Sequence, residues 1–78
     1  MEATALKMLA KDPDPRSGKA LLAATSNDQW VIRSAAYDAL ARRGDRALVT
    51  DMALGLTDQQ IVVKLTAAAA IAQLSALR

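Results

Sequence analysis

The chain contains no cysteine and no histidine. The first absence removes disulfides, thiolate metal sites and cysteine nucleophiles. The second removes the commonest general base and the commonest transition-metal ligand. Phenylalanine is missing as well, so the aromatic residues reduce to Trp30 and Tyr37. Neither sign of charge dominates: ten Lys and Arg against eight Asp and Glu leave a formal charge of +2. No long apolar run exists either. The longest, around Thr66–Ala72, is far below the ~18 residues that a membrane span needs. Met1-Glu2-Ala3-Thr4 lacks the positive n-region and the apolar h-region of a signal peptide. These absences set the expectation of a soluble, cytoplasmic, non-catalytic domain with no metal, no cofactor and no membrane partner.

Alanine fills the space left by the aromatics, with 18 of the 78 residues, and 53% of the chain is apolar. That apolar fraction and the low charge indicate a globular chain rather than a disordered one. Ala and Leu suit helices packed at short distance and fit a β-sandwich poorly. At 78 residues the chain is one small domain, near the lower edge of what a single core holds together without staples.

The most informative feature is a duplication at an offset of 31. Ser26-Asn27-Asp28-Gln29-Trp30-Val31-Ile32-Arg33 aligns with Thr57-Asp58-Gln59-Gln60-Ile61-Val62-Val63-Lys64. Ala36, Ala39, Leu40 and Ala41 then align with Ala67, Ala70, Ile71 and Ala72, while Ala5, Leu9 and Ala10 precede them by the same interval. A fixed period of this size marks stacked helical or strand units, none of which buries its apolar face alone.

Helix punctuation divides the chain further. In Asp12-Pro13-Asp14-Pro15, Pro13 disfavours helix at Asp12, Asp14 suits an N-cap and Pro15 suits the first helical position. Ser26-x-x-Gln29 and Thr57-x-x-Gln60 match the capping box. Arg42-Arg43-Gly44-Asp45 reads as a helix stop followed by a start. The pattern predicts about five helices, near 2–11, 15–25, 28–43, 46–55 and 58–76. Gly18 and Gly55 fall inside the two shorter ones and weaken each by roughly 1 kcal/mol relative to Ala. On the longer ones, Ile32, Ala35, Ala36, Ala39, Leu40 and Arg43, and their counterparts Val63, Thr66, Ala67, Ala70, Ile71 and Leu74, follow helical spacing and form the inward face.

The pattern Asn27-x5-Arg33-x2-Ala36-x2-Ala39-Leu40-x3-Gly44-Asp45, with its copy Asp58-x5-Lys64-x2-Ala67-x2-Ala70-Ile71, resembles the HEAT repeat. The short period is similar to the HEAT-like subtype of phycobilin-lyase-type and bacterial scaffold proteins. The resemblance covers essentially the whole chain. It implies an all-α, right-handed α-solenoid: a single domain, 1–78, with a half repeat at 1–11 and repeats at 14–43 and 45–76. It also implies a ladder in which a turn Asp and an Arg six residues later join successive repeats. Asn27 in place of Asp and Lys64 in place of Arg predict a looser ladder here. The family works mainly as scaffolding, so the implied activity is protein binding rather than catalysis.

Candidate contacts follow from the helix faces. Trp30, Ser34, Tyr37, Asp38 and Ala41 form one stripe of the helix near 28–43; Ile61, Leu65, Ala68, Ala69 and Ala72 form the next; Ala3, Leu6, Lys7 and Ala10 form the first. If the long helices share a side, the stripes lie together as a groove, with Trp30 and Tyr37 as aromatic anchors. The expected partner site is Trp30, Ser34, Tyr37, Asp38, Ile61, Leu65 and Ala69, with a protein partner. A homo-oligomer is the further expectation, because the apolar residues of the last helix, Leu77 included, exceed what one neighbouring pair can cover. The alternative is a nucleic-acid module using Arg42, Arg43 and Arg46. The low net charge and the helix-end placement of Arg42 and Arg43 weigh against it. HEAT-like DNA glycosylases also pair a Trp with an Asp on such a face, as Trp30 and Asp38 are paired here. Asp12, Asp14, Asp45 and Asp58 are read as helix caps, not as catalytic carboxylates.

Overall fold

The structure is a computed structural model that describes residues 3–76. Among them every regular element is helical: α1 (Ala3–Lys11), α2 (Pro15–Ala24), α3 (Trp30–Arg43), α4 (Val49–Met52) and α5 (Ile61–Ser75). Two 3₁₀ turns, Arg46–Leu48 and Ala53–Thr57, flank α4. The chain is therefore all-α over the described residues. Leu77 lies outside them, as does the side chain of Ala3.

Most boundaries arise from the punctuation described above. The Asp14 carboxylate accepts the backbone N–H of Arg16, with Pro15 at the start of α2. Gly44 ends α3 at φ 72°, the left-handed conformation in which a Cβ is costly. Asp45 caps the following turn by accepting from Ala47 N–H.

The two expected capping boxes do not form. Gln29 and Gln60 precede the first turns of α3 and α5 without a side-chain cap. The residue two positions before each acts instead: Asn27 Oδ1 accepts from Gln29 N–H and Asp58 Oδ1 from Gln60 N–H, both at 2.9 Å. An Asn or Asp side chain reaches its own backbone two residues on and mimics a turn carbonyl. The Thr57 hydroxyl instead donates back to Leu54 O at 2.9 Å. Hence α3 and α5 start at Trp30 and Ile61, later than expected.

The helix expected at 46–55 is also broken, into one α turn between two 3₁₀ turns. Gly55 supplies the reason. A Cβ built there would stand 2.5 Å from both Ala67 Cβ and Tyr37 Cζ. The backbone of this turn lies directly on α3 and α5, and only glycine fits.

α1, α3 and α5 lie side by side with α3 in the middle; α2 packs across α1 and α3, and α4 with its turns packs against α5. The Cα extents of 31 × 28 × 15 Å match two helix layers 8–10 Å apart. Ile32, Ala36, Ala39 and Leu40 of α3 are buried, and so are Val63, Ala67, Ala70 and Leu74 of α5. These belong to the inward faces that the spacing predicts. Leu6, Leu21 and Met52, each with at most 1% exposure, close the core from α1, α2 and α4.

Arg43 joins the first turn to the end of α3. Its guanidinium donates to the carbonyls of Leu9 (3.1 Å), Asp12 and Asp14 (3.4 Å). Gly18 makes room for it: a Cβ there would lie 3.3 Å from Arg43 Nε. The Gly that weakens α2 thus lets the Arg43 side chain lie across it.

Two substitutions test the close packing. Gly55→Ala forces its methyl into Tyr37 and Ala67, and Ala67→Leu overfills a site with 0% exposure. Each is expected to destabilise by about 1–3 kcal/mol. Thermal melts of both variants check this, and unchanged midpoints would mean that the turn does not sit on α3.

Candidate functional site

The residues expected to meet a partner divide in the structure. Trp30, at the first turn of α3, is 40% exposed; Ile61 and Leu65 of α5 are 63% and 64% exposed. Val31 and Val62 beside them are exposed as well, and so are Ala68, Ala69 and Ala72. These positions form an apolar surface along α5 and the N-terminal ends of α3 and α5.

Tyr37 does not belong to that surface. It is 3% exposed, with its ring against Gly55 and Ala67, and the expected second aromatic anchor is withdrawn. Burial pushes its hydroxyl above the usual tyrosine range, while Thr25 acts in the other direction. Leu6, assigned to the equivalent stripe of α1, is likewise buried. Residues 6 and 37 are 31 apart, and each is covered by the helices that follow its own. Helical spacing alone defines a stripe but not whether a later element packs on it.

Ser34 is half-buried and meets Thr66 at 3.1 Å. Thr66 Oγ1 also donates to Val62 O at 2.7 Å. A hydroxyl has a single hydrogen to give, so Ser34 is the donor in the pair. Next to this contact, between α3 and α5, lies an open cleft of about 340 Å³. Asp38 and Ala41 line one wall, and Leu65, Thr66, Ala69, Ala70 and Gln73 the other. Asp38 is exposed and pairs with Arg42 at 3.2 Å, one helical turn on.

The basic cluster is dispersed. Arg42 faces Asp38, Arg43 is turned inward onto three carbonyls, and Arg46 is exposed in the 3₁₀ turn after α3. Arg43 is thus a positioning residue of the fold, where a phosphate contact was the alternative expectation.

A two-pronged ion pair between residues remote in sequence joins Arg33 and Asp58. Arg33 Nε donates to Asp58 Oδ2 at 2.7 Å and Nη2 donates to Oδ1 at 3.0 Å. The remaining Nη1 donates to the carbonyls of Asn27 and Asp28 at 2.9 and 3.0 Å. The pair joins the one Arg and the one Asp that match the expected pattern; the side chains of Asn27 and Lys64, from which a looser arrangement was expected, take no part in it. A planar guanidinium matches a carboxylate with two parallel bonds, which a lysine cannot do. The Arg33 guanidinium, followed by Gln60 N–H, holds the Asp58 carboxyl below the usual aspartate range.

Compared with protein-family models, curated proteins and solved structures, the chain matches none of them. No helix among the described residues is long and apolar enough to cross a membrane. Sequence reasoning missed Thr66 and Gln73 as cleft residues. Thr66 had been placed on the inward face, and only its pairing with Ser34 reveals its position at the seam.

The Arg33–Asp58 pair predicts a pH dependence. A carboxyl whose pKa is lowered by folding stabilises above the ordinary aspartate value of about 4, and the gain disappears as pH falls through the lowered value. Asp58→Asn keeps the oxygen that accepts from Gln60 but loses the charge. Its melting temperature is expected below wild type at pH 7, with the gap closing in acid below about pH 4. A gap that stays constant from pH 7 to pH 2 would show that the charge does not matter.

Proposed function

We propose that this protein is a non-catalytic protein-interaction module built from HEAT-like helix pairs in a right-handed α-solenoid. In this reading residues 14–43 and 45–76 are two stacked repeats after a half repeat, and a protein partner lies on the long-helix side. The supporting observation is the apolar surface that Ile61 and Leu65, both more than 60% exposed, make beside Trp30. Covering such side chains is favourable, since each covered Leu or Ile contributes roughly 1.5–3 kcal/mol. Exposed contiguous apolar surface of this kind marks interaction sites. The cleft beside Leu65 and Ala69 has polar groups at its rim, Asp38, Thr66 and Gln73, which suit hydrogen bonds to a docked backbone or side chain.

The site residues under this proposal are Trp30, Ser34, Asp38, Ile61, Leu65 and Ala69, without Tyr37. Cytoplasmic placement belongs to the same reading.

The test is capture of partners from a lysate by the intact chain and by three variants. Leu65→Glu and Trp30→Ala alter the proposed surface, and Leu54→Glu alters a Leu that is 79% exposed elsewhere. The expected result is a protein partner retained by wild type and Leu54→Glu and lost with Leu65→Glu. Loss is expected to persist across salt, since apolar contact responds weakly to ionic strength whereas phosphate binding falls steeply. Capture that is indifferent to Leu65 and Trp30, or that consists of nucleic acid released by salt, would refute the proposal.

A further inference from the structure

Burial along α3 and α5 agrees at eight of the fourteen positions 31 apart and differs at six, of which only Arg43 against Leu74 is the more covered on α5. Ile32 and Val63, Ala36 and Ala67, and Ala39 and Ala70 are buried in pairs; Asp38 and Ala69 are exposed in pairs. The clearest divergences are Arg33 against Lys64, Ser34 against Leu65, Tyr37 against Ala68 and Ala41 against Ala72. On α3 all four are partly or wholly covered; on α5 all four are exposed. What covers them on α3 is the unit that follows. For the first three the contacts are explicit: Arg33 holds Asp58, Ser34 meets Thr66, and Tyr37 packs on Gly55 and Ala67. α5 therefore presents, in the same register, the face with which α3 receives a helix pair.

We propose that the exposed face of α5 receives an α-helical hairpin of a partner protein, stacked as α4–α5 stacks on α3. This rests on the protein-binding reading above and specifies the partner. Two features define its chemistry. Lys64 is the single charged residue of α5, and no ion pair among the described residues involves it. It occupies the register of Arg33, so the hairpin carries a carboxylate in its turn where Asp58 stands. Ala68 occupies the register of Tyr37, so the space filled by the Tyr37 ring must be filled from the partner's side. The hairpin accordingly carries a large apolar residue where Gly55 stands.

A second copy of this chain fits less well. Asp58 is already bonded to Arg33, and the equivalent turn before α3 offers the neutral Asn27. The exposed α1 end carries Lys7 and Lys11 with no acidic residue between Ala3 and Lys11, a like charge to Lys64.

The probe is a synthetic peptide with the sequence of residues 45–76 carrying Gly55→Leu, titrated into the isotope-labelled intact chain. Resonances of Lys64, Leu65, Ala68 and Ala72 are expected to shift. Lys64→Glu is expected to weaken binding about fivefold, the scale of one partly exposed ion pair, and Asp58→Lys in the peptide to restore it. Shifts centred on Arg33 and Tyr37 would mean that the peptide displaces the chain's own α4–α5, and would overturn the proposal. Concentration-dependent shifts of Leu65, Ala68 and Ala72 without peptide would assign the face to a second copy and overturn it too.

Should the peptide not fold, the same face is tested covalently. A second copy of residues 45–75 carrying Gly55→Leu is inserted between Ser75 and Ala76. A higher melting temperature, lowered again by Lys64→Glu, supports the stacking; an unchanged or lower one refutes it. If stacking fails while Leu65→Glu still abolishes partner capture, the hairpin falls and the protein-binding reading stands. If both fail, both fall.

Discussion

The close approach of the Gly55 turn and α5 to α3 is the constraint on which the rest of the structure depends. Six of the fourteen buried apolar residues are alanines. Each methyl contributes only about 0.8 kcal/mol by leaving water, so such a core gains its stability from many short contacts. Those contacts exist only if the helix axes come near one another. Ala36 and Ala67 permit this between helices, and Gly55 permits it between a turn and the Tyr37 ring. Once the turn is seated, Asp58 lies within 2.7 Å of Arg33 and the polar rung closes. Apolar packing and the ion pair therefore share one geometry, in which each places the other.

That arrangement separates the roles of the charged residues. Arg33 and Arg43 are both half-buried, and both spend their guanidinium groups on turns remote in sequence. Arg43 ties the α1–α2 turn to the end of α3, while Arg33 ties the start of α3 to the turn before α5. Between them they fix α3 at both ends to its two neighbours. The exposed ion pairs, Arg16–Asp14 and Arg42–Asp38, are surface contacts of small energetic weight. A basic cluster read along the sequence thus becomes one structural tie, one surface pair and one exposed arginine.

Much of the fold was legible because its signals are local or periodic. Helix number, the caps at Asp14 and Asp45, the stop at Gly44 and the inward faces all follow from spacing and turn chemistry. Three features were not legible, for physical reasons. The capping boxes failed because Asx turns made by Asn27 and Asp58 take the backbone N–H groups of Gln29 and Gln60 that Ser26 and Thr57 would have used. The helix near 46–55 broke because of a contact with α3 and α5 that no local propensity encodes. Tyr37 was placed on the surface because an amphipathic pattern defines faces relative to one neighbour, whereas α3 has neighbours on both sides. Trp30, Ile61 and Leu65 were legible because their surroundings are set by their own helix ends and by the absence of a following unit among the described residues.

The contrast between Tyr37 and Ala68 carries this further. Positions 31 apart in the sequence can be compared by their surroundings in the structure. Where both copies face the shared core, the pairs remain apolar and similar: Ile32 with Val63, Ala36 with Ala67, Ala39 with Ala70. Where α3 is covered by α4–α5 and α5 is open, the pairs diverge in kind, Ser34 against Leu65 and Tyr37 against Ala68. An open helix face under no other demand would be expected to become polar, as the outer surfaces of terminal units in stacked arrays do. The open face of α5 instead carries Leu65 in the register where the covered face of α3 carries Ser34. Water alone does not favour that placement. The helix docking proposed above would, and the small residues at 68, 69 and 72 are those that let a helix approach closely.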